Sequence, residues 1–176
     1  MIKLVTFFFF TFMVFNFAIA SDKYHQHKKY DHEYHHNEKY KIGSIEIEGV
    51  YTFITPPNAK VAAGYMKIEN EARKADTLLS VTNVSFAEKV EIHEMIMENQ
   101  VMKMRPLADG LNIAGDEEVY LKPSGFHIMF IGLKEPIVKG KMYKGTLNFK
   151  NAGSITVNFK AVDRGYHPDK DHHKHH

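Results

Sequence analysis

Phe126-His127-Ile128-Met129-Phe130-Ile131-Gly132-Leu133 is the stretch that decides the fold. Phe126, Ile128 and Phe130 fall at every second position, the period of a strand with one buried face rather than the 3.6 of a helix. Those three side chains take the core side, and His127 and Met129 project together from the other. The same period runs through Ser44 to Glu48, Val61 to Ile68, Thr77 to Phe86, Lys89 to Met97 and Val101 to Arg105. It continues in Glu117 to Leu121, Gly145 to Phe149 and Ser154 to Ala161. Turn chemistry separates these runs at Pro56-Pro57-Asn58, Glu98-Asn99-Gln100, Ala108-Asp109-Gly110, Pro123-Ser124-Gly125 and Asn151-Ala152-Gly153. No stretch carries a convincing helical stripe. Many short strands at this spacing predict an all-β fold, an antiparallel β-sandwich.

Composition divides the chain further. Met1-Ile2-Lys3 is a short positive start, Leu4 to Phe15 is almost unbroken apolar sequence, and Ala18-Ile19-Ala20 supplies a small-x-small cleavage pattern. Residues 1–20 therefore read as a signal peptide, with Ser21 as the mature N-terminus. An uncleaved anchor is the weaker reading, because the apolar run only reaches the lower limit for spanning a bilayer, roughly 17 residues. The mature protein is expected to be exported and soluble, with no stable membrane span after cleavage. Residues 21–41 hold no aliphatic side chain and are expected to be disordered. Residues 42–162 carry the globular signal, and 163–176 revert to a polar, His-rich tail expected to be disordered.

Several function classes fall away. The 176 residues contain no cysteine, which removes disulfides, thiol exchange, a Cys nucleophile and the thiolate of a blue-copper site. A formal charge of +2 with lysines scattered among carboxylates gives no basic stripe, so no nucleic-acid partner is expected. No Ser-His-Asp spacing, phosphate loop or zincin motif is present, and no enzyme activity is expected.

The donors that remain are imidazole and thioether. Of twelve histidines only His93 and His127 lie in the globular part, and each opens a His-x-Met triplet. Met95, Met97, Met102, Met104 and Met129 crowd the same region. Neutral, polarisable sulfur competes poorly for Zn, Ca or Mg but well for Cu(I), so the pattern points to a cuprous site. Residues two apart on a strand share a face, roughly 6.6 Å apart, so His93, Met95 and Met97 project opposite Val90, Ile92 and Ile96. The hairpin at Glu98-Asn99-Gln100 returns Met102 and Met104. A turn on Glu98-Asn99 places Met104 opposite His93, and one on Asn99-Gln100 pairs it with Met95, diagonal to His93. A three-residue turn would send it to the wrong face.

The segments AKVAAGYMKIEN, VEIHEM, VMKMRPL, LKPSGFHIMFIGLK and GTLNFKNAGSITVNF resemble the PCuAC family of periplasmic copper chaperones, from about Ile45 to Val162. The family signature is a His, a Met and a His-x-Met at set intervals. Here ten residues separate His93 from Met104, and twenty-two separate Met104 from His127, one more than the family spacing. The resemblance implies a cupredoxin-like β-sandwich, a periplasmic location and Cu(I) on His93, Met104, His127 and Met129. It also implies delivery of copper towards cytochrome oxidase assembly, with Sco-type copper proteins or cytochrome oxidase subunit II as partners. A monomer is expected.

Blander readings apply to the other residues. Met95, Met97 and Met102 read as packing around the site or a soft collar, with Met95 and Met102 as secondary ligand candidates. Met66 and Met142 read as filler, and Glu94 as facing away, solvated or paired. His25, His27, His32, His35 and His36, with His167, His172, His173, His175 and His176, form clusters able to take Cu(II), Zn or Ni. His172, His173, His175 and His176 are secondary metal candidates, set against a merely solubilising tail. Asp171 and Lys174 interrupt them, unlike a contiguous purification tag. Three alternatives to a chaperone remain. One is a copper buffer or scavenger without a client, another a copper-dependent redox enzyme, and the last an interaction module with a sticky Met-rich hairpin.

Overall fold

The structure is a computed structural model, and it describes residues 38–166. The leader, most of the N-terminal polar segment and His167 to His176 lie outside the described residues. The eleven strands are β1 (Tyr40–Ile42), β2 (Ile45–Phe53), β3 (Val61–Asn70), β4 (Asp76–Thr82), β5 (Ala87–Glu98), β6 (Val101–Pro106), β7 (Leu111–Ile113), β8 (Glu117–Leu121), β9 (His127–Leu133), β10 (Met142–Phe149) and β11 (Ser154–Val162). Among the described residues there is no helix.

One hydrogen-bonded path runs β6-β5-β9-β3-β2-β11-β10-β4-β7, with β1 added to β2 and β8 to β3. It closes on a core because β2 and β3 each serve two neighbours along their length. The first half of β2 pairs with β1 and its last residues pair with β11; β3 pairs with β9 over Val61–Gly64 and with β8 over Met66–Asn70. A register shift between Glu48 and Tyr51, where Gly49 takes φ +58°, bends β2 at the changeover. Strands distant in the path then meet face to face. Phe130 of β9 stacks edge-on against Phe159 of β11 at 5.2 Å, and Phe86 touches Phe130 at 4.8 Å and Tyr143 of β10 at 4.9 Å. Gly64 makes this approach possible: a Cβ there would sit 2.6 Å from Phe159. The sandwich is antiparallel except for β2 and β11, which pair in parallel, a departure from the all-antiparallel expectation.

Two buried polar side chains fix the end of the sandwich away from the histidines. Asn70 donates to the carbonyls of Lys74, Ile113 and Ala114 and accepts from the N–H of Ala72. Asp76 accepts from the backbone N–H groups of Thr77, Asn151 and Ala152 at 2.7, 2.9 and 2.8 Å. Burial alone would raise its carboxyl, but those donors and the Asn151 side chain outweigh it and hold the group below the usual range.

The expected boundaries move at both ends. Tyr40 and Lys41, assigned to a disordered segment, belong to β1; the Tyr40 hydroxyl accepts from the Asn158 N–H at 3.1 Å and its ring packs on the core. Tyr166, assigned to the tail, stacks edge-on against Tyr51 at 5.1 Å. In both cases an aromatic ring supplies apolar surface that a search for aliphatic residues overlooks. Asp76–Thr82 also stops short of the expected Thr77 to Phe86 strand, at Asn83 with φ +55°.

Candidate metal centre

The alternation in β5 and β9 places the two core histidines side by side. Ile92, Ile128 and Phe130 anchor one face in the core, which aims His93 and His127 out of the other. The two are direct cross-strand partners, with rings 5.7 Å apart, and are only 8% and 5% exposed. Met129 follows His127 on the same face, flanked by Glu91 of β5 and Ala63 of β3. Asn99 and Gln100 take φ +50° and +64° and form a two-residue turn of type I′, so Met104 pairs with Met95 and lies diagonal to His93. Of the registers considered from sequence, the one turning on Asn99-Gln100 is adopted.

Hydrogen bonding sets which nitrogen each imidazole can offer. His127 Nδ1 lies 3.0 Å from the carbonyl oxygen of Gly125, which only accepts, so Nδ1 carries the proton and Nε2 keeps its lone pair. His93 Nε2 lies 2.8 Å from Glu91 Oε2. Lys89 first, and then His93, hold the Glu91 carboxyl below its usual range. It is therefore an acceptor, and in neutral His93 the proton sits on Nε2. That leaves His93 Nδ1 as a lone pair, buried and without a hydrogen-bond partner. Burial pushes the His127 imidazole below its ordinary pKa, the bond to Gly125 opposes this, and nearby His93 adds to the lowering. Two imidazoles, each with one nitrogen tied to an oxygen and the other left to bind, beside two thioethers fit a soft cation. An orphaned buried nitrogen is otherwise a cost of about 1–3 kcal/mol.

The site opens on a groove of about 1010 Å³ whose walls include Met95, Met104, His127 and Met129 together with Tyr51, Tyr65 and Tyr166. Among the described residues no three His, Asp or Glu side chains converge in a metal-binding arrangement. Met95 stands beside Met104, while Met97 and Met102 form the next rung outward. Met66 is buried core and Met142 is exposed elsewhere. Glu94 faces away and pairs with Arg105 at 2.6 Å. His172, His173, His175 and His176 lie outside the described residues. Glu91 escaped the sequence reading, although its position two before His93 signals the shared face. The role of the Gly125 carbonyl has no sequence signal.

An all-β sandwich with imidazole and thioether donors on one sheet face is the class of protein these features define, and solved structures share its fold. The copper-bound PCuAC domain from PmoF2 matches with a TM-score of 0.61 at 21% identity, covering 72% of this chain and 98% of that one. The apo PCuAC domain from PmoF1 matches at 0.61 and 19% identity, covering 72% and 99%. Apo-DR1885 from Deinococcus radiodurans matches at 0.54 and 19% identity, covering 73% and 85%. The cupredoxin-like sandwich expected from the PCuAC resemblance is thus the fold observed. At the level of sequence, residues 45–161 match the LpqE-like lipoprotein family, and the chain belongs to it. A lipoprotein of Leifsonia xyli subsp. xyli, Lxx21020, is 27% identical over 103 residues, 58% of this chain and 61% of the relative. The match therefore spans about three-fifths of that relative's length.

Proposed function

We infer that this protein is an exported Cu(I) carrier that holds one ion on His93, Met104, His127 and Met129 and passes it on by ligand exchange. The observation that carries the reading is the pair of buried, adjacent imidazoles. Each is tied to an oxygen through one nitrogen and offers the lone pair of the other beside thioether sulfur. A copper-bound PCuAC domain and a Cu(I) form of DR1885 among the structures of the same fold support the choice of metal.

Copper is cargo in this account. When bound it is a soft electrophile that exchanges thioether and imidazole ligands. The chain's own residues do the rest. Glu91 and the Gly125 carbonyl fix the proton on each ring, and burial lowers the His127 pKa so that protons compete less with copper there. The open groove admits an incoming ligand next to Met104. Methionine adds no protonation step and forms no disulfide in an oxidising compartment.

Export rests on the leader in residues 1–20 and on the lipoprotein family. These 176 residues hold no cysteine, so a thioether-linked lipid has no attachment point within them. We place the protein in the periplasm, with Sco-type copper proteins or cytochrome oxidase subunit II as recipients by resemblance to PCuAC domains. The His-rich ends, as Cu(II) sites, favour a second reading as a copper buffer without a dedicated client. Anaerobic competition for Cu(I) against a chromophoric chelator, wild type against His127→Ala/Met129→Ala, tests the carrier. One tightly held equivalent lost in the variant supports it; equal retention by both proteins removes the folded domain from copper handling. Release that accelerates with acceptor concentration separates ligand exchange from simple dissociation.

A further inference from the structure

The hairpin of β5 and β6 carries more thioether than the site on its inner end uses. Met95 pairs with Met104 and Met97 with Met102, so four sulfurs occupy one face as two successive rungs. The charged residues of the hairpin go to the reverse face: Glu94 binds Arg105, and Glu98 binds Lys103. The thioether face is thus free of carboxylates beyond Glu91 at its inner end. Exposure rises outward along β5, and both methionines of β6 are open to solvent. His127 and His93 are 5% and 8% exposed, Met104 and Met102 47% and 45%, and Met97 65%. Edge strands normally carry charge or proline on such positions, and an exposed apolar edge is a liability. The residue type chosen here is in each case the one with a soft donor atom.

We propose that Met97 and Met102 form a second, outer soft-cation site, a landing position from which Cu(I) steps inward to Met95 and Met104. Cross-strand partners have Cβ atoms about 4.5–5.5 Å apart, and a methionine sulfur lies two bonds further out, so both sulfurs reach one ion between them. The next rung lies roughly 6.8 Å along the strands, close enough for Met95 or Met104 to bind the ion before the outer pair has released it. Each step breaks one Cu–S bond as another forms, with no change of oxidation state and no proton transferred. Two neutral thioethers bind more weakly than the inner set with its imidazoles, so affinity increases in the direction of travel. The inward step rests on the inner site proposed above; the outer site itself does not.

The test uses the full chain with methionine methyl groups labelled in carbon-13 and titrated anaerobically with Cu(I). Residues 21–41 and 163–176 contain no methionine, so histidines there cannot contribute signals. The expected result is that Met104 and Met129 respond first and that Met97 and Met102 then shift together as more Cu(I) is added. Met97→Leu/Met102→Leu keeps the apolar surface and is expected to slow copper entry into the inner site several-fold without preventing its saturation. Met97 and Met102 signals that stay unmoved in excess Cu(I) overturn the outer site and leave the patch as a protein-contact surface. Unchanged entry kinetics in the Leu variant overturn the landing role. Shifts at Met97 and Met102 without any at Met104 and Met129 keep the outer site and sink the inner one.

Discussion

Replacing Glu91 tests whether the proton on His93 is placed from outside the ligand set. Glu91 accepts from His93 Nε2 at 2.8 Å and is itself held by Lys89 at 2.6 Å. Without it, His93 loses the acceptor that holds its proton on Nε2, the proton can move to the buried, unpartnered Nδ1, and copper must then work against that tautomer. Removing a partner of this kind typically costs 10–100-fold in metal affinity. The Glu91 side chain keeps 25% exposure, so water replaces part of what is lost and the low end applies. Glu91→Ala is therefore expected to weaken Cu(I) binding about tenfold, or ~1.4 kcal/mol. Glu91→Gln, which retains an acceptor oxygen, should stay within about threefold of wild type on the same reasoning. Chelator competition gives the affinities, and proton-coupled nitrogen NMR of His93 gives the tautomer. An alanine variant that binds copper as tightly as wild type, with Nδ1 still unprotonated, would show that Glu91 does not place the proton.

Four further outcomes are expected. Gly64→Ala drives a methyl to 2.6 Å from Phe159 Cε1 and 3.0 Å from Phe130, and should cost about 1–3 kcal/mol in urea unfolding. Asp76→Asn puts an NH₂ group against a backbone N–H and removes a charge that accepts three of them; a loss of about 2–3 kcal/mol is expected in the same assay. A glycine inserted between Asn99 and Gln100 breaks the register that pairs Met95 with Met104, and should lower Cu(I) affinity while leaving the melting temperature nearly unchanged. His127 has a lowered pKa in the folded state, so the unfolded chain binds more protons and stability rises with pH across that interval. The apo protein should therefore lose stability as pH falls below about 6.5, the unfolded value, and His127→Gln should flatten that dependence in thermal melts.

The fold was legible because period-two alternation survives in the strands that make the core. Phe126 to Phe130 and Val90 to His93 put the expected residues inward, but Gly132 at φ +67° breaks the alternation and Leu133 packs against the core. What stayed hidden is non-local. The parallel pairing of β2 with β11 depends on β2 exchanging neighbours at Gly49, which no local pattern announces. β7 has only three residues, too few to show a period. At the site, the residue pattern brought forward His93, His127 and five clustered methionines, the PCuAC resemblance singled out Met104 and Met129 among them, and the hairpin register stayed open between two turns. The left-handed conformations of Asn99 and Gln100 decide it. Glu91 was visible in principle by its parity with His93. The Gly125 carbonyl was not, since any residue supplies one.

X-ray absorption at the copper edge of the full chain carrying one equivalent of Cu(I) shows which side chains hold the ion. Histidines outside the described residues can offer only nitrogen, and the chain has no cysteine, so a sulfur shell must come from methionine. Copper on His93, Met104, His127 and Met129 gives a mixed shell of two nitrogen and two sulfur scatterers, with sulfur halved in Met129→Leu and one nitrogen lost in His127→Ala. A nitrogen-only shell, unchanged by either substitution, would contradict it and assign the copper to the His-rich ends.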